Sequence, residues 1–91
     1  MTHAVILIKA EREALGSLGE HLADVEGVAE AYSVTGAWDF VAVLRVPRQE
    51  QLAEVVTERL AALDGIADTY TMVAFQAFSR HDLEALFSIG A

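Results

Sequence analysis

The stretch LADVEGVAEAYSV at residues 22–34 returns as LAALDGIADTYTM at residues 60–72. Leu, Ala, Gly, Ala and Tyr recur at matching places, and the pairs Glu26/Asp64, Val28/Ile66, Glu30/Asp68 and Ser33/Thr71 keep their chemical type. Each copy reads as the end of a helix, a glycine and the start of a strand. Gly27 and Gly65 stand where a helix is left in the left-handed conformation, which glycine adopts without a Cβ clash.

Working outward from the two joints gives the remaining elements. AVILIKA, residues 4–10, is β-branched and too short and continuous for an amphipathic helix, so it reads as a strand buried on both faces. In residues 11–24, Leu15, Leu18, Leu22 and Val25 recur at helical spacing while Glu11, Arg12, Glu20 and Asp24 lie off that stripe, which predicts a surface helix. Residues 28–35 and 38–46 read as two strands joined by the tight TGA connection, an antiparallel hairpin. Pro47 ends the second of them, since it has no N–H for a ladder, and suits the first turn of the helix expected at residues 49–63. Leu52, Val55, Val56, Leu60 and Leu63 form that helix's apolar side. A long fourth strand is expected over residues 66–78. SRHD, residues 79–82, then offers an N-cap hydroxyl with an acid three residues on, ahead of Leu83, Leu86 and Phe87, which predicts a short C-terminal helix.

The order βαβ–βαβα is two similar half-units. With right-handed crossovers it folds into an α+β, ferredoxin-like βαββαβ sandwich: a four-stranded antiparallel sheet with two helices on one face, plus the C-terminal helix. A chain of 91 residues is expected to form a single domain, 1–91, because two cores would each fall below the roughly 40–60 residues at which domains become marginal. Helices cover one sheet face only, yet Phe40, Ala42 and Leu44 alternate with Val41 and Val43, and Ala4, Ile6 and Ile8 with Val5 and Leu7. A sheet with one wet face alternates apolar with polar residues instead. With 54% apolar residues overall, the expected cover is a second copy, giving a homodimer.

Composition narrows the chemistry. There is no cysteine, so neither disulfides nor thiolate metal sites are available. His3, His21 and His81 show no metal-ligand spacing, so no metal site is expected, and no glycine-rich loop follows a strand, so no nucleotide cofactor is expected. A formal charge of −8, from 14 acidic and 6 basic residues, repels a phosphate backbone, which argues against direct nucleic-acid binding. The longest apolar run is too short to span a bilayer and resembles no signal peptide, so a cytoplasmic protein is expected, with no membrane partner.

The densest cluster of special residues is YSVTGAWDF, residues 32–40. Two readings stand side by side. Gly36 supplies a turn's backbone freedom, with Asp39 a local acceptor and Trp38 core. Alternatively, N–H groups around Gly36 meet a carboxylate and Asp39 meets an ammonium, the two ends of a free amino acid.

A T-G-x-x-D-F hairpin between two apolar strands, preceded by GVAEAY and followed by GIADTYTMV, resembles the effector-binding (RAM) domain of the Lrp/AsnC feast/famine transcriptional regulators. The likeness covers residues 5–78. It implies a ferredoxin-like module that dimerises through its sheets, assembles further into rings of dimers and binds amino acids where dimers meet. By that likeness Thr35, Gly36, Trp38 and Asp39 fall on the effector loop and Thr69 and Thr71 on nearby fourth-strand positions. Thr69 and Thr71 also suit plain strand packing, and Tyr32 and Tyr70 suit amphipathic interface positions. The family's regulators carry a helix-turn-helix module ahead of this domain, and the chain begins only a few residues before its first strand. The expectation is a stand-alone RAM protein, not an enzyme, that binds an amino acid or similar effector and can pair with a full-length regulator. Fold alone leaves a small dimeric α/β-barrel enzyme, monooxygenase-like, as the alternative. That would require a base or electrophile in a pocket, and neither His21 nor His81 has a carboxylate at a spacing that would set one up.

Overall fold

The structure, a computed structural model, describes residues 1–78. The expected C-terminal helix lies outside the described residues. Four strands, β1 (Thr2–Ala10), β2 (Val28–Ser33), β3 (Phe40–Val46) and β4 (Ile66–Val73), form one sheet in the order β2-β3-β1-β4, every neighbouring pair antiparallel. Helix α1 (Leu18–Ala23) connects β1 to β2; α2 (Gln49–Glu54), which runs on as a π-helical turn over Val55–Leu60, connects β3 to β4. This is the ferredoxin-like sandwich.

Alternation along β1 and β3 sends Ala4, Ile6, Ile8, Phe40, Ala42, Leu44 and Val46 to the helix side, where all are buried against Leu18, Leu22, Leu52, Val55 and Leu60. Val5, Leu7, Val41 and Val43 occupy the other side, half-buried, with no layer above them among the described residues. Row by row, that bare side reads Tyr70–Leu7–Val41–Tyr32 and Met72–Val5–Val43–Glu30. Tyr32 and Tyr70 are about half exposed, at 50% and 52%, so the repeat's two tyrosines mark the two edges of an open apolar face.

The repeat has a packing reason. Gly27 and Gly65 both hold positive φ, 102° and 96°. A Cβ on Gly27 would stand 2.6 Å from Val55 Cγ2, and one on Gly65 would collide with the Cβ of Ala14. Each half's joint therefore presses its glycine against the helical connection of the other half. Arg59 adds to this clasp by donating to the Glu26 carbonyl at 2.8 Å.

Every expected element after β1 among the described residues is shorter than its sequence pattern, the second helical connection ending at Leu60 instead of residue 63. The first helix, expected over 11–24, is a 3-10 turn at Arg12–Ala14 followed by the six residues of α1, and Leu15 is exposed. Gly16 and Gly19 weaken a helix at that point, and nothing packs within 4 Å of a Cβ at Gly16 to offset the loss. β4 stops at Val73, not residue 78: Ala74 N still donates to His3 O at 2.9 Å, and there β1, its ladder partner, runs out. The hairpin strands end at Ser33 and begin at Phe40, so the connection is longer than the three residues TGA.

Candidate functional site

The hairpin connection projects beyond the sheet. Val34 N donates to Asp39 O at 3.0 Å, and residues 35–38 loop out past that bond. Thr35, Gly36 and Ala37 are exposed. Gly36 takes φ 105°, with open space around its Cα, so glycine is required there for chain direction alone.

Asp39 holds the loop to β1. Its N–H donates to Ile8 O at 2.9 Å, and its Oδ2 accepts from Ala10 N, also at 2.9 Å. The β1–β3 ladder ends at Ile8↔Phe40, and the carboxylate stands in for the carbonyl that a further ladder residue would have supplied to Ala10. The local-acceptor reading of Asp39 is thus realised through one oxygen, leaving Oδ1 without a protein hydrogen bond among the described residues. Trp38 is half-buried and meets Tyr70 edge to face, ring centroids 6.5 Å apart at 67°.

Lys9 completes this end of the molecule. Its Nζ donates to Ala37 O at 2.7 Å, tying the loop to β1 and placing an ammonium beside Gly36 and Trp38. Sequence reasoning passed over it, although the signal was there: Lys9 is the lone charge in AVILIKA.

The six expected site residues divide. Thr35, Gly36, Trp38 and Asp39 gather at the hairpin end with Lys9 and Tyr70. Thr69 and Thr71 pair with Ile8 and Ile6 and so stand on the helix side of the sheet, opposite the Trp38–Tyr70 contact. They border two adjoining recesses beside α2, neither of which includes a residue of the loop.

At the far edge of the open face, the Tyr32 hydroxyl donates to the Glu30 carboxylate, and Arg45 Nη1 lies 3.3 Å from Glu30 Oε1. The Tyr32 hydrogen bond first, then Arg45, holds the Glu30 carboxyl below its ordinary value of 4.5; the same hydrogen bond raises the Tyr32 hydroxyl. Elsewhere, His21 opens onto a shallow cleft lined by Glu11, Glu13, Ser17 and Asp64, with no hydrogen bond or ion pair joining it to them among the described residues. No group of three or more His, Asp or Glu side chains suited to a metal ion gathers among the described residues.

Comparison with known proteins places this geometry in context. The family model described as the Lrp/AsnC ligand binding domain matches residues 3–83. An uncharacterised HTH-type transcriptional regulator of Pyrococcus furiosus is 31% identical over 77 residues, 81% of this chain and 51% of the regulator, so the chain spans about half the length of that relative. The crystal structure of TTHA0845 from Thermus thermophilus superposes with a TM-score of 0.80 at 41% identity, covering 88% of this chain and all of that one. A transcriptional regulator of Neisseria meningitidis, crystallised as a complex with L-Met, shares the fold at a TM-score of 0.75 and 14% identity, over 87% of this chain and 53% of that one.

Proposed function

The chain belongs to the Lrp/AsnC ligand-binding domain family, and from that premise we propose that it binds a free amino acid at the hairpin end of its sheet. The observation that carries the reading is the meeting of a cation, a half-engaged carboxylate and an aromatic pair around one exposed glycine turn. Lys9 and the N–H groups around Gly36 suit the ligand's carboxylate, Oδ1 of Asp39 its α-ammonium, and Trp38 with Tyr70 its side chain. Thr69 and Thr71 enter such a site only from a neighbouring copy, consistent with a ligand held between dimers.

The apolar face Val5, Leu7, Val41 and Val43 is assigned to a homodimer, with rings of dimers as the next level. Its relatives are transcriptional regulators, which points away from an enzyme. With a charge of −8, contact with an operator is left to a DNA-binding partner, such as a full-length regulator of the family.

A thermal-shift screen of the free amino acids tests the reading. A ligand at ~100 times its dissociation constant adds about 2.7 kcal/mol of stability. At least one amino acid raises the melting temperature of the wild-type chain, and Lys9→Met abolishes the rise. A screen in which no amino acid shifts the transition would contradict it.

A further inference from the structure

The open side of the sheet ends in charged rows. His3 pairs with Arg45, and both lie two residues from Val5 and Val43, so they stand on the side away from the helices. At the opposite end Lys9 pairs with Asp68 on that same side. Between the two ends lie the apolar rows built on Val5–Val43 and Leu7–Val41.

Those two rows are too small to hold a dimer by themselves. Strands lie ~4.8 Å apart and same-face residues recur every ~6.8 Å, so two rows across four strands span roughly 19 by 14 Å, about 270 Å² in projection. A stable dimer needs about 600 Å² or more from each protomer. A sheet-to-sheet dimer therefore carries the end rows into its interface, His3 and Arg45 among them.

We propose that His3 makes this dimer sensitive to pH, protonation of its ring driving the two copies apart. The inference rests on the sheet-face dimer and is independent of the effector site at the hairpin. Histidine is the side chain that changes charge between pH 5 and 8, and the groups facing His3 from its neighbours are cationic or neutral. Arg45 is its cross-strand neighbour on β3, and like charges directly opposite one another destabilise a sheet. The chain's own α-ammonium is two residues away on Met1, which borders one recess with His3. On the β4 side the neighbour is Ala74, whose N–H donates to His3 O at 2.9 Å. The rest of that recess, formed by Thr2, Gln49 of α2 and residues 73–77, carries no charge. Glu30 belongs to β2, one strand beyond Arg45, and is engaged by Arg45 at 3.3 Å and by the Tyr32 hydroxyl.

A protonated His3 is thus a second positive charge beside Arg45, with one carboxylate between the two. In the free protomer His3 is half-buried and water screens the repulsion; between two sheets that water is gone and the charged ring costs more. The sign follows from linkage. The dimer binds fewer protons than two free protomers, so acid favours the protomers.

Sedimentation equilibrium of the full chain over a dilution series at pH 7.5 and pH 5.5 reads the effect, and circular dichroism at both values checks the fold. The dissociation constant of the dimer rises at least about tenfold at pH 5.5, since dissociation takes up protons. His3→Gln keeps a polar side chain without a titrating charge and holds its dissociation constant within about twofold over the same range, although His21 and His81 remain. Arg45→Gln removes the like charge and leaves Glu30 to the protonated ring, so its rise is smaller than that of the wild type. The wild-type rise retained in either variant, a dissociation constant that does not change with pH, or a tighter dimer at pH 5.5 overturns the switch and leaves the dimer standing. A wild-type chain that is monomeric at pH 7.5 overturns the dimer and the switch together.

Discussion

Asp39 carries two duties that substitution can separate. Its Oδ2 braces Ala10 N, and in the proposed function Oδ1 is the acceptor for a ligand's ammonium. Asp39→Asn keeps a neutral oxygen for Ala10 but loses the charge, so the fold is nearly unchanged while amino-acid affinity falls at least about tenfold. Asp39→Ala loses both, and urea denaturation shows an added cost of about 1–2 kcal/mol from the unpaired N–H of Ala10. Equal stability of the two variants would show that the brace is unimportant. Glu30 gives a pH prediction. Its carboxyl is held below 4.5, so its contribution is present above that value and is lost as pH falls through the depressed one. Chemical denaturation from pH 6 down to about pH 3 therefore shows a loss of stability that Glu30→Gln reduces. An identical profile for the variant would show that Glu30 contributes nothing to the pH dependence.

Elements are where pattern and structure part. Gly16 stands in open space outside the left-handed region, so Gly16→Ala raises stability by roughly 0.4–1 kcal/mol through the unfolded chain alone. A lower melting temperature would mean the break before α1 is required by contacts the structure does not show. The element order, the antiparallel hairpin and the turn glycines at 27, 36 and 65 were legible because periodicity and local φ preference are written in neighbouring residues. The end of β4 was not, since apolar residues continue to Phe78 while the strand stops where β1 stops. At the site, the hairpin residues announced themselves by type and spacing. Lys9 did not, because what matters about it is a carbonyl 28 positions away. The face on which Thr69 and Thr71 stand was likewise set by register with Ile8 and Ile6, which no local pattern encodes.

For the molecule as a whole, the open face makes a firm demand. Val5, Leu7, Val41, Val43, Tyr32, Tyr70 and Met72 form one continuous apolar surface, and sedimentation velocity at micromolar concentration finds at least a dimer, burying more than about 1,200 Å² in total. Val43→Glu, placing a charge at the centre of that face, shifts the population to monomer; a wild-type monomer would contradict the assignment. In the proposed dimer the hairpin ends would lie at the rim, within reach of a neighbouring dimer. The proposed effector site is tested by amide chemical-shift mapping during titration with free amino acids. With the ligand held at the hairpin, a binding amino acid moves the amides of residues 35–39 and of Lys9 and Ala10 together, along with the Trp38 indole. Shifts centred on the His21 cleft with the hairpin amides still, or no shifts with any amino acid, would place the site elsewhere or nowhere.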